Sequence, residues 1–171
     1  MDKKGDTLAW RYQDSIFKQK EFINDTLGIR YTNYNVIYFK KDTLKYNESL
    51  RAYAYVRTPL LRNENSQALV LIANSNSEKF NDDFSHETKV ELDTFYNLTI
   101  DKENQKWFNN VEQKYFVTFG YYFENPGNKI LRGYLLEYAK GDFSNEFGKE
   151  MDSLVFKTYF EKKIFVKDSL E

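Results

Sequence analysis

The chain has 171 residues and a net charge of −1, from 25 basic and 26 acidic side chains, so it lacks the basic excess that binding nucleic acid or anionic lipid requires. It contains no cysteine, which excludes disulfides, thiolate metal sites and cysteine nucleophiles. With 41% hydrophobic and 18% aromatic residues it can bury a core, yet no run approaches the roughly 20 apolar residues of a membrane helix.

The segment DTLAWRYQDSIFKQKEFIND is expected to form an N-terminal helical arm. Leu8, Tyr12, Ile16 and Ile23 follow one another at spacings of four, four and seven, and Asp6 or Thr7 is placed to cap the start. We therefore divide the chain into an arm over 1–28 and a sandwich domain over 29–171.

From residue 29 the period becomes two. IRYTNYNVIYF is rich in β-branched and aromatic residues. In SLRAYAYVR, Leu50, Ala52, Ala54 and Val56 point one way and Arg51, Tyr53, Tyr55 and Arg57 the other, the alternation of a pleated strand. QALVLIANS reads as a strand covered on both faces, and NSNSEKFNDDFSHE as a long polar loop. TKVELDTFYNLTI resumes the alternation, and DKENQKWFNNVEQ is a polar connection carrying Trp107 and Phe108. In KYFVTFGYYF, residues 115, 117, 119, 121 and 123 share one face. The turn Asn125-Pro126-Gly127-Asn128 then leads into KILRGYLLEYA, expected as the partner strand of a hairpin. LVFKTYFEKKIFVKD closes the fold. About seven to nine short strands without intervening helices point to an all-β, antiparallel sandwich or barrel.

Chemical signatures are sparse. His86 is the single histidine, and with Asp82 and Asp83 it forms a weak candidate for a metal site whose spacing matches no standard pattern. A single histidine in a chain without cysteine leaves little for a Ser–His or Cys–His nucleophile. A hydrolase would need a carboxylate pair such as two of Glu124, Glu137 and Asp142, and no spacing singles them out. Phosphate-loop and dinucleotide glycine patterns are absent, so no cofactor is expected. The aromatic residues have two readings. Trp107, Tyr53, Tyr55, Tyr121 and Tyr122 are candidates for stacking on sugar rings, and the same residues in alternating strands are ordinary cross-strand packing.

Asp42, Leu44, Asn47 and Glu48 form the pattern D-x-L-x-x-N-E before a long alternating strand. This resembles the opening strands of immunoglobulin-like domains in bacterial cell-envelope lipoproteins. The resemblance implies an immunoglobulin-like β-sandwich behind the N-terminal helical arm, serving as a non-catalytic binding or scaffolding module in the periplasm or at the cell surface. Its partner is then another protein or a polysaccharide, and it meets the membrane only through a lipid anchor upstream of this chain. The hydrophilic opening MDKKGD fits such a tethered start.

Overall fold

A computed structural model describes residues 7–14, 17–23, 35–57, 59, 65–75, 78–82, 84, 86–141 and 153–169. The strands are β1 (Thr7–Asp14), β2 (Phe17–Ile23), β3 (Val36–Phe39), β4 (Thr43–Leu44), β5 (Leu50–Tyr55), β6 (Ser66–Ala73), β7 (Leu92–Tyr96), β8 (Phe116–Tyr121), β9 (Gly127–Lys140) and β10 (Ser153–Val166). One short helix, α1 (Lys102–Gln105), interrupts the connection between β7 and β8. The strands form a seven-stranded sheet in the order β1-β2-β10-β9-β6-β7, with β4 also on β10, and a three-stranded sheet in the order β3-β5-β8. The all-β, two-sheet architecture expected from the alternating pattern is present.

The sheets face each other through the residues that alternation assigns to the inside. Leu50, Ala52 and Ala54 of β5 and Val117 and Phe119 of β8 pack with Ala68, Val70 and Ile72 of β6 and Leu131, Leu135, Phe160, Ile164 and Val166 of β9 and β10. Removing these apolar groups from water is the main drive for closing the sandwich. At one corner the sheets touch through an isolated bridge between Asn97 and Val117.

Two expectations need correction. The stretch read as a helix contains the antiparallel pair β1–β2, with Leu8 opposite Phe22 and Trp10 opposite Lys20. A spacing of four keeps residues on one side of a helix and of a strand alike, so Leu8, Tyr12 and Ile16 do not discriminate between them. Joining the large sheet gives β2 a second main-chain partner on its other side, through the pairing of Lys20 with Tyr159 and Gln19 with Phe160 of β10.

The second correction concerns the turn at Pro126-Gly127. β8 pairs with β5, while β9 pairs with β6 and β10, so the turn joins the two sheets and is not a hairpin. Gly127 takes φ of +103°, a left-handed conformation that glycine adopts without the strain a side chain would bring. Here the chain leaves one sheet and lays its next strand across the core.

A second apolar cluster lies on the outer face of the large sheet. The connection between β6 and β7 folds over it, burying Phe80, Phe84 and Val90 against Tyr134 and Tyr159. Beneath this strap, Glu87 accepts hydrogen bonds from Lys157 Nζ at 3.0 Å and from the Tyr159 hydroxyl at 2.6 Å. Burial, and then the nearby Glu87 carboxylate, push the Tyr134 hydroxyl from 10.0 up to about 12. Below pH 10 both folded and unfolded chains keep this proton and the contribution to stability is complete. Between pH 10 and about 12 the unfolded chain releases it while the folded chain holds it, so stability falls. Tyr134→Phe is expected to remove that part of the alkaline loss in denaturant titrations at pH 9, 10.5 and 11.5. Equal losses in parent and variant would refute it.

Candidate functional site

The outer face of the small sheet is built from three strands whose register sets its rows. Val36, Tyr55 and Phe116 lie side by side, and Tyr38, Tyr53 and Thr118 form the next row. Lys40 follows beside Arg51, held by the hydrogen bond from Lys40 N to the Arg51 carbonyl, and Arg51 lies opposite Gly120. Tyr53 stacks on Tyr38 with ring centroids 4.9 Å apart, and on Phe116 at the same separation on its other side.

The connection from β7 to β8 forms the wall above this floor. It is anchored by the buried Asn97, whose side-chain amide donates to Gln67 Oε1 and to the Ala68 carbonyl. Asp101 caps α1 by accepting from Asn104 N, and its other oxygen accepts from Asn104 Nδ2 at 2.7 Å and Thr118 Oγ1 at 3.0 Å. Burial works against the charge of this carboxylate, but the hydrogen bonds from Asn104 and Thr118 prevail and hold its pKa below the usual range. Past α1, Phe108 packs on Phe116 at 4.6 Å and on Tyr53 at 6.1 Å. Trp107 stands beside it, 71% exposed, with Lys106 Nζ 5.1 Å from its ring centre.

Floor and wall enclose an open cleft of about 820 Å³, bordered by Tyr38, Tyr53, Trp107, Phe108, Arg51 and Asp101. Tyr38 is 48% exposed at its rim. Exposed rings beside polar groups can stack on the C–H face of a sugar and orient it by hydrogen bonds.

Of the candidate rings, Tyr53 and Trp107 meet in this cleft. Tyr121 and Tyr122 border a smaller one of about 280 Å³ between the β8–β9 turn and the strap. Their hydroxyls are engaged there, Tyr121 accepting from Lys79 Nζ at 2.9 Å and Tyr122 donating to Asn47 Oδ1 at 2.8 Å. Tyr55 tilts against Phe116 and borders neither cleft. Tyr38 and Arg51 were not picked out from the sequence as site residues, though both share the outward parity of Tyr53 once β3 and β5 are paired.

Asp83 and Asp142 lie outside the described residues. His86 serves the strap, since its Nε2 meets the Lys79 carbonyl at 2.8 Å and Asn81 N donates to its Nδ1 at 3.4 Å. Asp82 is exposed nearby, and no group of three or more metal-ligating side chains gathers among the described residues. Glu124 borders the smaller cleft, whereas Glu137 is buried on the core-facing side of β9, so the two carboxylates do not share a cleft. No protein family model matches the chain, nor does any curated protein or solved structure.

Proposed function

We propose that this chain is a non-catalytic binding module built on an immunoglobulin-like sandwich, and that its cleft beside Trp107 takes a glycan. The observation that carries this reading is the pair of large rings left in water around a shaped cavity, Trp107 at 71% and Tyr38 at 48% exposure. Exposed aromatic area costs roughly 25 cal/mol per Å², and grouped exposed rings mark binding surfaces more often than isolated ones do. Tyr53 and Phe108, packed behind them, keep floor and wall rigid, which reduces the ordering cost of binding. The envelope setting, periplasmic or at the cell surface with a lipid tether, belongs to the same proposal. It rests on the resemblance around Asp42, Leu44, Asn47 and Glu48.

Tryptophan fluorescence tests the site directly, because Trp10 and Trp107 are the two reporters. Titration with soluble glycans is expected to give a saturable change that Trp107→Ala abolishes while the emission of Trp10 remains. A response that persists in Trp107→Ala would move the site elsewhere. A flat response across neutral and acidic glycans would leave a protein partner as the ligand of the module.

A further inference from the structure

Resting on the glycan reading of the cleft, the geometry points to an acidic glycan, one bearing a carboxylate on the sugar unit that stacks near Tyr38 and Tyr53, with Arg51 and Lys40 as its counter-charges. Arg51 lies two residues from Tyr53 on the same strand, so their side chains leave the same face roughly 7 Å apart. That separation suits one pyranose ring carrying its carboxylate at the edge. Lys40 is its neighbour across the ladder.

The charge balance around the cleft supports the assignment. Among the described residues the ion pairs are Lys41–Glu48, Arg132–Glu161 and Lys157–Glu87, and none includes Arg51 or Lys40. The nearest carboxylates are already engaged. Glu48 accepts from Lys41 Nζ and from Lys45 N at 2.9 Å, and Asp101 accepts from Asn104 and Thr118. Two cations beside a ring-floored cleft are thus left to meet an anion from outside. A guanidinium serves a carboxylate well because two parallel N–H bonds match its two oxygens. Gly120, opposite Arg51 in the ladder, adds no side chain to the floor there, so the approach to the guanidinium stays open.

The test uses a galacturonate oligosaccharide and its full methyl ester, which share rings and hydroxyls and differ in charge. Trp107 fluorescence follows binding of each in 50 mM and 500 mM NaCl, with the parent chain and with the double variant Arg51→Gln, Lys40→Gln. The acid is expected to bind at least about tenfold tighter than the ester at low salt, the scale of one charge-assisted hydrogen bond. The double variant should remove that preference by weakening the acid far more than the ester, with thermal stability unchanged, and high salt should weaken the acid alone. Equal affinity of acid and ester would overturn the acidic-glycan assignment and leave the glycan reading standing. An acid preference that survives the double variant would overturn the role of Arg51 and Lys40. Binding of neither ligand would overturn this assignment, and failure of every other glycan in the panel would overturn the broader reading as well.

Discussion

Gly133→Ala is expected to destabilise the fold by about 2–3 kcal/mol, the scale of forcing one extra carbon into a packed core. Gly133 sits in the middle of β9, paired with Phe160 of β10 on one side and Ile72 of β6 on the other. A Cβ there would stand 2.5 Å from the Leu71 carbonyl oxygen and 3.0 Å from the tip of the Phe160 ring. The ring can tilt only by disturbing Phe39 and Phe119, whose centroids lie 6.0 and 5.8 Å away. The Leu71 oxygen belongs to the main chain of a central strand and cannot swing aside. Urea denaturation of Gly133→Ala, Phe160→Leu and the double variant separates the two contacts. The double variant should recover only the part of the Gly133→Ala loss that comes from the ring. A loss below about 0.5 kcal/mol in Gly133→Ala, the range of a neutral surface change, would show that the close approach to Leu71 is not a constraint.

Removing the carboxylate under the strap should cost more. Glu87→Ala is expected to lose about 3 kcal/mol, since a largely buried charge pair broken from one side exposes the remaining partners to unfavourable burial. The carboxylate serves Lys157 with one oxygen and the fully buried Tyr159 hydroxyl with the other. Without it, Phe80 and Phe84 keep their apolar contact with Tyr134 and Tyr159 but lose the polar latch beside them. Amide exchange over 78–90 should therefore accelerate more than exchange in β9 and β10. Glu87→Gln, which keeps an acceptor without the charge, should lose less than alanine. Uniform acceleration throughout the sheet would argue against a local latch.

The inner face of the sandwich was legible because alternation is a direct imprint of a pleated strand with one side in water. Parity alone put Leu50, Ala52, Ala54 and Val56 on one face, and all four are buried. Partnership was not legible in the same way. A hairpin and a crossing between sheets both place a tight turn between two alternating strands. What distinguishes them is the pairing itself, β8 with β5 and β9 with β6 and β10. Even spacings at Leu8, Tyr12 and Ile16 hid the β1–β2 pair for a related reason. In the strap, Phe80 and Phe84 sit within NSNSEKFNDDFSHE, whose Asn, Asp, Ser and Glu mark it as a polar loop. Their burial depends on Tyr134 and Tyr159, which lie far off in sequence. The cleft was half legible. Trp107 and Tyr53 were candidates from residue type, while Tyr38, Arg51 and Asp101 join them only through strand register and the fold of the β7–β8 connection.

The position of β10 bears on the order in which the chain can become native. It is the last of the described strands, yet it lies inside the large sheet, flanked by β9 on one side and by β2 and β4 on the other. During synthesis β2 and β4 emerge long before their partner exists. β2 can pair with β1 at once, but the ladders that β2 and β4 make with β10 cannot close until β10 clears the ribosome. The small sheet has all three of its strands complete by Tyr121 and is free to assemble earlier. The part of its inner face that meets Leu131, Leu135, Phe160, Ile164 and Val166, however, stays uncovered until β9 and β10 fold across it. Such non-local closure is slow, on the order of milliseconds to seconds. The nascent chain therefore spends that interval with open strand edges and an exposed apolar sheet, the state in which association with other chains competes with folding.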